Sequence, residues 1–129
     1  MASGFMAVAT ARAAADLLAP RFAGVRDEKL AVLHLDGGRS VLAIDDFDAA
    51  GPDLVALSLR DIFRRALALD ATGLVIAHNH PSGDPKPSQA DIQATRRLAA
   101  AAEALGIRLH DHLIFAGGEC ASFRALGLL

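Results

Sequence analysis

Apolar and polar positions follow two different rhythms along the chain, and the switches between them delimit its elements. Thr10 to Leu18 (TARAAADLL) is rich in alanine and leucine and reads as a helix, stopped by Pro20. Glu28 to Asp36 (EKLAVLHLD) is an apolar run of the buried-strand type. Gly37-Gly38 supplies a turn, and Ser40 to Asp45 (SVLAID) returns as a second strand, so the pair predicts a hairpin. Asp46 to Asp53 reads as irregular, with Gly51-Pro52 as a breaker. Ser58 and Asp61 have N-cap and N3 spacing, which starts a second helix at Ser58 and carries it to Leu69.

Gly73 then precedes LVIAH, a short apolar run that reads as a buried strand ending at His78. A turn-rich loop, His80 to Pro87, leads into a long helix from Ser88 to Leu105. Ile92, Thr95, Leu98, Ala99, Ala102 and Leu105 share one face of that helix, and Gly106 follows its end. IRLHDHLIF (Ile107 to Phe115) predicts another strand, Gly117-Gly118 a turn, and Glu119 to Phe123 a last short strand. Helices and strands alternate, which predicts an α/β fold whose sheet is covered by helices on both faces.

Composition narrows the function classes. The 129 residues, 53% hydrophobic and 22% charged, suit one folded domain over 1–129. With no Trp or Tyr, the core falls to Leu, Val, Ile, Ala and six Phe. A net charge of −2 lacks the clustered basic excess of a nucleic-acid binder, which argues against nucleic acid as a partner. Arg64-Arg65 and Arg96-Arg97 read as solvated helix faces. The single cysteine, Cys120, excludes an intramolecular disulfide, fits a reducing compartment and reads as a small buried hydrophobe. No apolar run reaches the roughly 18 residues of a membrane span. The N-terminal stretch has no basic region of the kind that opens a signal peptide. The expectation is a soluble, cytoplasmic protein with no membrane partner; a homodimer is left open.

The chemistry concentrates in HNHPSGDPKPSQAD, His78 to Asp91. In a strand, residues i and i+2 point the same way, so His78 and His80 project together from a strand end, where clefts form in helix-covered sheets. Two imidazoles there suit Zn²⁺. Asp91, in the first turn of the next helix, offers a third ligand, and three ligands leave a fourth position for water, the arrangement of a catalytic site. A plainer reading stands beside this one. Ser88 and Asp91 match a capping box with Asp in place of Glu, which accounts for both without a metal. His110-Asp111-His112 repeats the H-x-H spacing and offers a second metal pair, but reads chiefly as residues that pack or that orient a metal-bound ring. His34 reads as a core or surface histidine.

The H-x-H-x₇-S-x₂-D pattern of His78, His80, Ser88 and Asp91 resembles the signature of the JAMM (MPN+) zinc metalloprotease family. More closely, HNHPSGDPKPSQADIQATRRL resembles the bacterial RadC proteins, as do SLRDIFRRALAL, AAEALGIRLHDHLIFAGG and ASFRALG. The resemblance runs from about residue 13 to the end. It implies a three-layer α/β/α, cytidine-deaminase-like JAB/MPN fold with a central mixed sheet. It also implies a zinc site of His78, His80 and Asp91, and a peptide or isopeptide substrate. Ser88 matches the residue that hydrogen-bonds the developing oxyanion. Glu28 occupies the place of the family's general base, with Asp45 and Asp46 as alternatives from the second strand. Asp111 and His112 match the family's Asp-His pair, and a carboxylate at Asp111 would suit the orienting of a zinc-bound imidazole. Three departures are visible: the chain has no room for the usual N-terminal helix-hairpin-helix domain, Gly51-Pro52-Asp53 replaces a Gly-Thr, and Ser58-Leu59 replaces a His-Pro.

Three functions follow: a zinc-dependent metallohydrolase, a catalytically idle JAMM-like binding or scaffold module, and an accessory protein in DNA repair, as the RadC name implies. A zinc nucleobase deaminase is excluded, because its H-x-E and P-C-x-x-C ligands need more than one cysteine.

Overall fold

The structure, a computed structural model, describes residues 10–48 and 54–129. Among these, helix α1 (Ala11–Leu18) leads through a 3₁₀ turn to the hairpin of β1 (Lys29–Leu35) and β2 (Val41–Asp48). Helix α2 (Leu54–Ala68), strand β3 (Gly73–Asn79), helix α3 (Gln89–Ala104), β4 (Arg108–Ala116) and β5 (Glu119–Ser122) follow. The strands form one mixed sheet in the order β2-β1-β3-β4-β5. Only β3 and β4 pair in parallel, and a parallel pair needs a crossover, which α3 provides.

Two apolar layers hold the sheet. Leu30, Val32, Leu74 and Ile76 pack with Ile62 and Phe63 of α2 and Leu98 and Ala102 of α3. On the other face Ala31, Leu33, Leu35, Val75 and Ala77 pack with Ala14 and Leu18 of α1. Central β3 is buried along its whole length, which is why its sequence is a continuous apolar run rather than an alternating one. The three-layer α/β/α fold with a mixed sheet is therefore the observed one. No helix among the described residues is long and apolar enough to cross a membrane.

Four local expectations are corrected. Strand β2 does not stop at Asp45 but runs to Asp48, because Asp46, Phe47 and Asp48 find register partners in Ala31, Leu30 and Lys29. The Asp46 carboxylate is neutralised there by Arg21 and Lys29. Helix α2 begins at Leu54, not Ser58, since Leu54, Ala56 and Leu57 are themselves strong helix formers. Leu105 is 45% exposed, because it caps α3 and turns away ahead of Gly106, while Ala94 is buried in its stead. Cys120 is exposed on β5 rather than buried. The Gly51-Pro52-Asp53 segment lies outside the described residues.

Strand β4 carries one irregularity. Leu74 pairs with Leu109 but Val75 with Asp111, so His110 is an extra residue in β4, a β-bulge. Beyond the bulge the alternation is reset. His110 and Asp111 both line a cavity of about 140 Å³ on the α1 side with Leu35 and Val75. His112 meets Thr95 of α3 on the opposite side.

Candidate metal centre

The C-terminal end of β3 carries His78 and His80 on the α3 side. The short loop after it brings the first turn of α3 back over them. Ser88 is the N-cap of α3, its hydroxyl accepting from the Asp91 amide at 3.0 Å, while the Asp91 carboxylate accepts from the Ser88 amide at 2.8 Å. The capping box is thus real, and it serves the site: it locks the Asp91 side chain in place. The loop is shaped by turn chemistry. His80 donates its backbone N–H to the Phe115 carbonyl, and Asp84 Oδ1 accepts from the Lys86 amide.

Three ligand atoms converge. His78 Nε2 and His80 Nε2 lie 3.0 Å apart, His80 Nε2 is 3.0 Å from Asp91 Oδ2, and His78 Nε2 is 3.3 Å from Asp91 Oδ1. In a tetrahedral set with metal–nitrogen distances of about 2.0–2.1 Å, donors sit about 3.3–3.4 Å from one another, so the spacing fits one ion. Among the described residues, His78, His80 and Asp91 are the one such group.

The hydrogen-bond pattern decides which ring nitrogens are free. His80 Nδ1 is 2.8 Å from the Asp84 carbonyl oxygen, which only accepts, so Nδ1 carries the proton and a neutral ring leaves Nε2 as a lone pair. His78 Nδ1 is 2.6 Å from His112 Nε2, and His112 Nδ1 is 2.6 Å from Thr95 Oγ1, whose hydroxyl donates to the Asp91 carbonyl at 2.7 Å. The Thr95 hydroxyl has a single hydrogen. With both rings neutral, only one arrangement makes all these contacts hydrogen bonds: His112 donates from Nδ1, accepts at Nε2 from His78 Nδ1, and leaves His78 Nε2 bare. His112 is fully buried, and burial drives its pKa well below that of an ordinary histidine, so the ring is neutral as this requires. Two lone pairs 3.0 Å apart repel unless a cation or a shared proton lies between them.

Asp91 completes the donor set as an anion. Burial pushes its carboxyl up, but a positive charge at His78 and the hydrogen bonds from Ser88 outweigh this and hold it well below the usual carboxylate range; with His78 Nε2 bare, a bound cation would supply that charge instead. The residues present fit a metal ion.

Glu28 lies just before β1. The β1–β3 ladder ends with Leu30 opposite His78, two residues after Glu28. Asn79, buried between the two histidines, fastens this stretch: its Oδ1 accepts from the Lys29 amide at 2.7 Å and its Nδ2 donates to the Asp27 carbonyl at 3.0 Å. The alternatives are engaged elsewhere. Asp45 pairs with His34 and Arg65, and Asp46 with Arg21 and Lys29. Asp111 corrects an expectation. The bulge and strand alternation turn its carboxylate away from the imidazoles, onto Ser122 Oγ and the amides of His112 and Arg124. The imidazole that it was expected to orient is instead held by His112. Thr95 and Asn79 were missed as site residues. Thr95 reads in sequence as one of an apolar helix face, and Asn79 as a spacer in H-x-H.

The sequence model of a family described as "RadC-like JAB domain" matches residues 8–128. The chain is 52% identical over 103 residues to a UPF0758 protein of Rhodobacter capsulatus, across 79% of this chain and 48% of that protein. It is 48% identical over 103 residues to a UPF0758 protein of Ruegeria pomeroyi, across 79% of this chain and 46% of that one. It is also 37% identical over 124 residues to the UPF0758 protein YfjY of Escherichia coli, across 96% of this chain and 78% of the relative. The chain thus spans about half the length of the first two relatives.

Proposed function

The chain belongs to the RadC-like JAB domain family, and from that premise we propose that it is a zinc-dependent hydrolase of peptide or isopeptide bonds. The observation that carries this reading is the meeting of two imidazole nitrogens and a carboxylate at one point. Zinc held by His78, His80 and Asp91 would acidify a bound water and polarise the scissile carbonyl. The chain's own groups do the rest. The Glu28 carboxylate takes the proton of the attacking water and returns it to the leaving amine nitrogen as the C–N bond breaks. Ser88 Oγ spends a lone pair on the Asp91 amide, so its hydrogen is left to donate to the oxyanion. A cleft of about 640 Å³, lined by Phe22, Val25, His80, Gly83, Phe115 and Gly117, borders the site and is of a size to hold several residues of an extended substrate.

Elemental analysis of purified protein tests the metal. About one zinc per chain is expected in the wild type, with none in His78→Ala. A wild type that holds no metal after zinc is supplied returns the chain to the binding-module reading. On a peptidase and isopeptidase panel, Glu28→Gln is expected to cost about 10²–10⁴-fold in kcat while zinc stays bound.

A further inference from the structure

We infer that Thr95 sets which ring nitrogen of His78 is free to bind metal, acting at a distance through His112. The inference rests on the metal-site reading above and deepens it. Thr95 touches neither the candidate ligand atoms nor any place a substrate would reach. It is buried on α3, and its neighbours are the Asp91 carbonyl and the His112 ring.

The argument turns on direction. A chain of hydrogen bonds through two imidazoles can run either way, and each direction puts the His78 proton on a different nitrogen. Run from His78 towards Thr95, it leaves Nε2 of His78 bare. Run the other way, it places a hydrogen on His78 Nε2, in the space the ligand atoms share. An imidazole has no internal preference large enough to decide, so the ends of the chain decide. At one, the Asp91 carboxylate 3.3 Å from His78 Nε2 would draw a hydrogen there unless a cation takes its place. The other end sets the direction of the relay. That end is the Thr95 hydroxyl. Its hydrogen is committed at 2.7 Å to a backbone carbonyl, which cannot donate in return. Thr95 therefore meets His112 Nδ1, at 2.6 Å, only as an acceptor. The carbonyl belongs to Asp91 itself, so the residue that supplies the anionic ligand also anchors the group that bares the neutral one. Thr95 is a positioning residue, because its effect reaches the site through another ring.

The test uses the full chain. Nitrogen-15 NMR of the imidazole rings in metal-free protein reads which nitrogen bears each proton, and zinc titration reads affinity. Wild type is expected to show the Nδ1–H form at both His112 and His78. In Thr95→Val, His112 Nδ1–H loses its acceptor, both rings shift to the Nε2–H form, and zinc binds about 10–100-fold more weakly. Thr95→Ser, which keeps the hydroxyl, is expected to restore both readouts. Should valine disturb α3, Thr95→Ala removes the hydroxyl without a branched replacement. Wild-type ring forms in both hydroxyl-less variants would overturn the inference, as would unchanged zinc affinity in a variant whose rings have switched. A wild type that shows the Nδ1–H forms but binds no zinc would instead defeat the metal reading and leave the tautomer control of Thr95 to be judged by the ring forms alone.

Discussion

Two H-x-H triplets lie on or at the end of neighbouring parallel strands, offset along them: His78-Asn79-His80 runs off the end of β3, His110-Asp111-His112 sits on β4 beside the start of β3, and they come to different uses. In the first, plain alternation puts both rings on the α3 side with their Nε2 atoms 3.0 Å apart. In the second, the bulge at His110 breaks the alternation. His110 faces the α1 side against Gly73, and His112 alone enters the site. Spacing is a statement about the backbone between two residues, and one inserted residue in the ladder cancels it. The triplets also differ in what finishes them. The first has Asp91 folded back onto it; the second has an aspartate of its own, but Asp111 is spent on Ser122 and two backbone amides.

The largest expected difference between the triplets is in metal content. Asp91→Ala or His80→Ala is expected to abolish stoichiometric metal, read by elemental analysis, with far-UV circular dichroism close to wild type. His110→Ala is expected to leave the metal in place. Metal retained by Asp91→Ala would dissolve the distinction. Next comes affinity: His112→Phe keeps an aromatic ring against Phe123, whose centroid is 4.4 Å away, yet is expected to weaken metal binding by about 10–100-fold in a titration.

A third contrast is in pH dependence. Burial lowers the pKa of His112 far more than that of half-buried His110, and buried His34 is lowered too despite its hydrogen bond to Asp45. A histidine with a lowered folded pKa binds its proton first in the unfolded chain. Its stability is therefore full above about pH 6.5 and is lost as pH falls below that value, until the folded state also protonates. Denaturant unfolding of metal-free protein between pH 7.5 and 5.5 is expected to show this fall, by up to about 1.4 kcal/mol per pH unit for each such group. His112→Phe is expected to flatten the slope more than His110→Phe; equal slopes would erase the contrast. The smallest effect concerns the bulge itself. A Cβ at Gly73 would come within 2.6 Å of the His110 ring, so Gly73→Ala is expected to cost about 1 kcal/mol in wild type and less in a His110→Ala background. Additive costs would mean that the ring is not what the glycine accommodates.

How much of this could be read from the chain depends on range. The convergence of His78, His80 and Asp91 was legible because strand alternation, a short loop and a helix start all operate within residues 78–91. The capping box, read as an alternative to a metal site, is present and fixes the Asp91 side chain that such a site would use. The bulge at His110 was not legible, since nothing in His110-Asp111-His112 marks an extra residue and only the register against β3 betrays it. Thr95 was hidden for a related reason: threonine passes for an apolar residue on a helix face until its hydroxyl meets a ring from another strand. The end of β2 and the start of α2 were misjudged because Asp46, Asp48 and Ser58 are turn and cap formers that tertiary pairing and strong neighbours overrode.

That difference in range also predicts an order of events in folding. His80 and Asp91 are separated by 11 residues, so the ligands can gather once β3 and the start of α3 have formed. The His112–Thr95 and His78–His112 contacts span 17 and 34 residues and wait for β4 to dock. During refolding, a nascent site should first grip a metal ion weakly and then tighten when the last strand arrives, so an ion present from the start would act as a clasp on an unfinished molecule.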